Sequence, residues 1–369
     1  MADRSIDVFW HDDSMLHDTG SGVFEHPPSP LIEVSELHPE NDVRIRNIRS
    51  CLQRGPVGER LRWRDGRHAT VAELEMLHEP GYVEHVKSFC EQGGGVLAWS
   101  TVVTTGSWKA ALASAGTAIG AAEAVLDGDC VTAYALVRPP GHHAQPATTD
   151  GYCLFSNTAL AAEAARRRGV ERVAIIDWDV HHGNGTQQCF YERADVLSIS
   201  LHMPHGSWSS SHPQTGSALE AGLGDGEGYN VNIELDYGSG DAAYVAAMER
   251  VVTPIIDAYV PQLILIAAGQ DASQFDPNGR QNVSCSGFRA MGEIAQRLAD
   301  RHCDGRMVLV QEGGYARSYS AFCMHATLEG VLGTGELLPD PMAYMPDDEL
   351  RGDAGIASAR GSMRRYWRF

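Results

Sequence analysis

Residues 173–185 read VAIIDWDVHHGNG, an unbroken apolar run that stops at a knot of acids, histidines and glycines. An apolar run without polar alternation marks a strand covered on both faces, as a parallel sheet requires. The stretches VTAYALV from Val131, VLSIS from Val196, LILIAAG from Leu263 and MVLVQEG from Met307 share that character. Helical patterns begin between them at Ser107, Thr158, Ala242 and Ser286. Strand alternating with helix predicts an α/β fold with right-handed crossovers around one central sheet. No linker, repeat or shift in composition divides the chain, so it reads as one unit over 1–369. Residues 17–41 read as a loop, and the tail after Gly333 as irregular and charged.

The composition is that of a globular protein, with 43% hydrophobic and 21% charged residues in a chain of 369. That length buries a sizeable core and excludes disorder of the whole chain. A net charge of −19 opposes nucleic acid as a partner and would at most help draw in a cationic ligand. The eight cysteines form no CxxC pair and no framework spacing, which fits reduced thiols and a cytoplasmic location. The N-terminal residues lack a basic region followed by an apolar block, and no later run is apolar enough to span a bilayer, so no membrane role is expected.

Each apolar run ends in polar or glycine-rich residues: RPPGHHA, DVHHGNG, LHMPHG, GQDAS and EGGY. Ligands of open α/β sheets bind outside the carboxyl ends of the strands, so these ends predict one composite site. Along an extended strand Asp177, Asp179 and His181 share one face, with Trp178 and Val180 on the other. Two carboxylates and an imidazole suit a divalent transition ion, and Asp271 in GQDA would complete an open site with Asp179 and His181. Alone, the DxDxH pattern serves equally a structural hydrogen-bond network.

The adjacent His142 and His143 after PPG supply imidazoles able to accept and return protons near neutral pH. Asp177 and Asn184 are candidates to orient them, and an aspartate partner raises basicity more than an asparagine does. The two histidines should therefore differ in role. Tyr315, after two glycines, could donate to a developing oxyanion or could simply pack in a turn.

Taken in order, RPPGHHA, DWDVHHGNG, GQDASQFDP and QEGGY resemble the zinc-dependent histone deacetylase superfamily, and HPENDVRIRNI and LHEPGYVEHV extend the likeness over about residues 15–335, leaving 336–369 as a tail. Asn184, where other branches carry Asp, resembles the class II and bacterial amidohydrolase or acetylpolyamine amidohydrolase branch. The resemblance implies the arginase/deacetylase fold, a three-layer α/β/α unit with a mostly parallel sheet of eight strands. It implies zinc on Asp179, His181 and Asp271. It makes His142 and His143 the tandem base and acid, with Asp177 and Asn184 as partners, and Tyr315 the oxyanion donor. Potassium falls on Asp177, Asp179, His181, Ser200 and Leu201, and Gly151 and Tyr152 line the substrate tunnel. The implied reaction is hydrolysis of an N-acyl amine. A catalytically weak ligand-binding or regulatory relative is the alternative, although no residue of the set is lost. An arginase-like site with two manganese ions would need carboxylates at positions that hold Gly183 and Ser273.

Three departures point toward small amide substrates. In GGGVLAWSTVVTTGSW from Gly93, Ser100 stands where many protein deacetylases carry an acid, unless Glu91 or another loop supplies one. His212 precedes Pro213 where relatives present Phe, which with Tyr152 makes the tunnel more polar. Gln270 precedes Asp271 where an aromatic is frequent. The Gly93–Trp108 loop could also pack on a neighbouring subunit of a dimer or tetramer.

Overall fold

The computed structural model describes residues 4–207, 213–342 and 345–369. Its central sheet has eight strands, all parallel: β1 (Ile6–Trp10), β2 (Leu61–Asp65), β3 (Thr132–Ala135), β4 (Val173–Asp177), β5 (Val196–His202), β6 (Asn230–Glu234), β7 (Leu263–Ala268) and β8 (Met307–Gln311). Their spatial order is β6-β5-β4-β7-β8-β3-β1-β2. The five apolar runs of the sequence are β3, β4, β5, β7 and β8, contiguous in that order except that β7 and β8 insert between β4 and β3. Chain direction across the sheet therefore switches at the carboxyl ends of β4, β7, β8 and β3, where such sheets open a crevice.

Alternate residues of each strand feed two cores. Ala174, Ile176, Ile264, Ile266 and Leu309 face the helices Val43–Arg54, Cys285–His302 and Tyr319–Leu332. Val173, Ile175, Leu263, Leu265 and Val308 face Ser107–Asp127 and Asn157–Arg167. The result is the expected α/β/α sandwich.

Three strands escape an apolar-run reading because polar residues in them are satisfied only by tertiary partners. Asp7 in β1 accepts from Arg62 Nε and Arg64 Nε of the edge strand β2, each at 2.7 Å. At the other edge, Asn230 and Asn232 of β6 donate to Gln187 at 2.7 and 2.9 Å. The helix expected from Ala242 is broken by a π turn at Met248–Val252, just before Pro254, which has no N–H for the regular ladder. The tail is not wholly irregular: Asp353–Met363 is a helix that buries Ile356, Ala359 and Met363. Its Gly355 lies so close to Glu234 that a Cβ would stand 1.7 Å from the backbone oxygen.

Candidate active site

The chain leaves β4 at Asp177, so the DxDxH spacing works through turns and not through strand alternation. Asp177 Oδ1 accepts from the backbone N–H of Asp179 at 3.0 Å, and Asp179 Oδ1 from that of His181 at 2.9 Å. These are aspartate-capped turns that swing both side chains to one side. Asp271, beyond β7, accepts from Val180 N–H at 2.9 Å through Oδ1. His181 Nδ1 then stands 3.1 Å from both Asp179 Oδ1 and Asp271 Oδ2. Gly269 and Gly313 form the floor; a Cβ at Gly313 would lie 2.2 Å from Asp271 Oδ2 and 2.7 Å from Asp179 Oδ2.

The electrostatics of this cluster suit a cation. Burial, then the charge of Asp179, push the Asp271 carboxyl up to about 8. Burial opposes charge on His181, but hydrogen bonds to the two aspartates overcome it and lift the imidazole to about 10. Two buried carboxylates and one imidazole, with ligand atoms within 4.8 Å of one another, fit a borderline divalent ion that leaves coordination positions open.

His142 and His143 lie beside this cluster, with ring centroids 4.0 Å apart. Their partners differ: His142 Nδ1 is 3.0 Å from Asp177 Oδ2, and His143 Nδ1 is 2.7 Å from Asn184 Oδ1. Burial disfavours charge on His142, yet the carboxylates of Asp179 and Asp177 hold it well above the ordinary imidazole range. The amide of Asn184 is oriented in turn by Asp150, whose Oδ2 accepts from Nδ2 at 3.2 Å. Glu312 fixes the backbone before the pair, accepting from the N–H groups of Gly141 and His142 at 2.6 and 3.1 Å.

A cavity of about 390 Å3 opens onto His143, His181, Tyr315, Gly151 and Tyr152. Gly151 must be glycine, because a Cβ would lie 2.2 Å from the His143 ring. Tyr315 is fixed by its backbone N–H on Asp276 Oδ2 at 2.6 Å and by the Arg44 guanidinium over its ring at 5.0 Å. Burial keeps its phenol protonated, far above the usual range, so it is a donor. Arg44 explains the HPENDVR motif: it donates to the carbonyls of Glu312 and Gly314 at 2.6 and 3.0 Å and clamps the EGGY turn.

The histone deacetylase domain matches residues 38–331. The chain belongs to the histone deacetylase family. It is 46% identical over 98% of its length to Histone deacetylase 8 of Arabidopsis thaliana, 97% of which is covered. It is 42% identical over 83% of its length to the Histone deacetylase-like amidohydrolase of Pseudomonas aeruginosa, with 80% of that protein covered. The crystal structure of the HDA15 HD domain superposes with a TM-score of 0.84 at 33% identity, over 99% of this chain and 96% of that one. As a deacetylase family member the protein is a hydrolase of carbon–nitrogen bonds other than peptide bonds, and its fold is the arginase/deacetylase fold.

Other residues singled out in the sequence lie around, beneath or beyond this cavity. Gln270 does not line the cavity: it is buried beneath it, donating to Ala268 O at 2.5 Å and accepting from Gln311 at 2.9 Å. His182 turns away, its ring nitrogens 2.9 Å from Thr215 Oγ1 and 3.1 Å from Gln187 Oε1. His212 falls outside the described residues. Asp177 and Ser200 are register partners across β4 and β5, with buried Leu201 next in the strand. Ser100 lines the cavity, but the acid beside it is Glu25, from the loop after His17, and not Glu91. Glu25 and Asp150 sit in stretches without periodicity or motif, so no sequence signal marks them; Asp276 lies within GQDASQFDP and Glu312 within QEGGY, motifs that by themselves give neither residue a role.

Proposed function

We propose that the protein is a zinc-dependent amidohydrolase of small N-acyl amines, such as acetyl-lysine-like compounds, acylpolyamines or other non-protein amides, acting as one catalytic unit over residues 1–369. The observation that carries this reading is that His143, His181 and Tyr315 face one cavity while the partners of each lie behind it. Asp179, His181 and Asp271 would hold the zinc, which when bound supplies Lewis acidity toward the amide carbonyl and a more acidic water. Asp177, Asp179, His181, Ser200 and Leu201 are the positions for potassium, a structural role.

His143 presents Nε2 to the cavity because Asn184 takes its Nδ1–H, so it receives the proton of water and returns it to the leaving amine. His142, paired to a carboxylate and buried, stays charged beside it and favours loss of that proton from His143. Tyr315 donates its hydroxyl to the carbonyl oxygen as negative charge builds there. Gly151 and Tyr152 form the wall along which the substrate lies. The scattered free thiols support a cytoplasmic setting. Leu31, Val34, Val96 and Trp99 expose apolar surface that suits a contact between copies.

The test is hydrolysis of acetyl-lysine peptides, acetylated polyamines and simple alkyl or aryl amides by zinc-loaded and chelator-stripped protein. Turnover of at least one class that is lost with the metal and regained on zinc addition is expected. Turnover that survives complete stripping would overturn the reading.

A further inference from the structure

The mouth of the cavity carries two opposite charges that hydrolysis itself does not use. Glu25 reaches it from the N-terminal loop and Arg280 from the segment after Asp271. Arg280 is exposed and Glu25 half-buried, whereas His143 and Tyr315 are buried, so the two charges mark the outer end. Glu25 Oε2 accepts from the Tyr152 hydroxyl at 2.7 Å, and Asn278 Nδ2 donates to that same hydroxyl at 3.0 Å. Tyr152 thus ties the acidic loop to the segment that carries Arg280. Its own backbone is in the left-handed region, with φ of 68°, an arrangement that a Tyr adopts only under strong constraint.

Both charges have capacity left. Glu25 Oε1 makes no hydrogen bond to any described residue. Arg280 directs one terminal nitrogen to the carbonyls of Pro277 and Gly279, at 3.0 and 2.6 Å, and no carboxylate pairs with it among the described residues. In a chain of net charge −19, a cation without an acidic partner at the rim is conspicuous. A cavity of about 390 Å3 accepts one small molecule.

We propose that the substrate is a free ω-N-acyl-amino acid: an acyl amide at the inner end, a short alkyl spacer past Tyr152, and a zwitterionic head whose ammonium meets Glu25 and whose carboxylate meets Arg280. This rests on the amidohydrolase reading above and narrows it. Water adds its oxygen to the acyl carbon, the C–N bond breaks, and a carboxylate and a free diamino acid leave. An acyl-lysine inside a peptide has both head groups tied up as amides, so it offers neither charge to the rim. A mono-acylated diamine offers one.

Four compounds of equal length separate the contributions: Nε-acetyl-lysine (zwitterion), N-acetylcadaverine (cation), acetamidohexanoate (anion) and N-pentylacetamide (neutral). With zinc-loaded protein, kcat/KM should be greatest for the zwitterion, about tenfold above the neutral compound, as two partly exposed ion pairs give together. Glu25→Gln retains an acceptor for Tyr152 but should lower the zwitterion-to-neutral and cation-to-neutral ratios. Arg280→Gln should lower the zwitterion-to-neutral and anion-to-neutral ratios. Added salt should compress all of them. Product inhibition gives an independent measure on the unmodified protein, with lysine expected to inhibit more tightly than cadaverine. Hydrolysis with the same ratios in all three proteins, or a peptide acetyl-lysine preferred over the free zwitterion, overturns this inference alone. Failure to turn over any of the four compounds, an aryl acetamide, an acetylated polyamine or an acetyl-lysine peptide overturns the amidohydrolase reading and this one with it.

Discussion

Binding a divalent ion at Asp179, His181 and Asp271 should expel close to two protons at neutral pH, because the metal-free centre stores them. Burial alone would strip His181 of its proton, yet its contacts with Asp179 and Asp271 hold it to about 10. Asp271, buried and facing Asp179, is pushed up to about 8. Asp179 contributes no proton: burial raises it, but the charges of His142 and His181 outweigh that and keep it ionised. At about pH 7 His181 is then fully charged and about nine-tenths of Asp271 is protonated, and a metal needs both deprotonated. Affinity should rise about 100-fold per pH unit up to about pH 8, then about tenfold per unit until about pH 10. The centre titrates as a unit, so the slope is the observable and not the separate midpoints.

Calorimetric titration of zinc into chelator-stripped protein, in buffers of different ionisation enthalpy, reads the proton number directly. Release of fewer than about one proton per ion near neutrality, or an affinity flat with pH below about 8, would refute the assignment of these three groups to a shared cation site. Both raised values make the metal-free fold less stable as pH rises. The raised value of His181 adds stability that is fully present below the ordinary imidazole range and is lost as pH rises through about 10. The raised value of Asp271 weakens the fold increasingly as pH climbs from the ordinary carboxylate range to about 8. Melting temperature against pH, with and without zinc, should show the metal's stabilisation growing through that window.

Three substitutions probe the remaining parts. Tyr315→Phe keeps the ring under Arg44 but removes the donor, and should lower kcat about 100- to 1000-fold with little change in KM, read by steady-state kinetics. Gly313→Ala places a methyl 2.2 Å from Asp271 Oδ2, so both carboxylates must shift; metal affinity should fall at least about tenfold while circular dichroism stays unchanged. Asp150→Ala frees the Asn184 amide to turn and should lower kcat about tenfold, with a displaced pH–rate profile that a merely destabilised protein would not show.

The α/β sandwich, and the gathering of polar strand ends at one edge of it, are legible in the sequence. Runs such as Val173–Asp177 and Leu263–Ala268 are apolar because both faces are covered, and their polar ends must then meet at one edge of a parallel sheet. That logic reaches Asp179, His181, Asp271, the tandem histidines and Tyr315, since each follows an apolar strand. Tertiary structure alone decided what surrounds them. Strands β1, β2 and β6 are disguised by Asp7, Arg62, Arg64, Asn230 and Asn232, whose partners lie on other segments. The helix in the tail exists because Glu234 and the core receive it, and not because its own pattern demands it. Gln270 counts among the departures that point toward small amides, but its side chain lies beneath the cavity, bonded to Ala268 and Gln311, because neighbouring residues point to opposite sides. Glu25, Asp150 and Arg280 reach the site from irregular loops whose paths no periodicity encodes. The chemistry of the centre is thus written locally in the strands, while the recognition at its mouth depends on loops that only packing brings together.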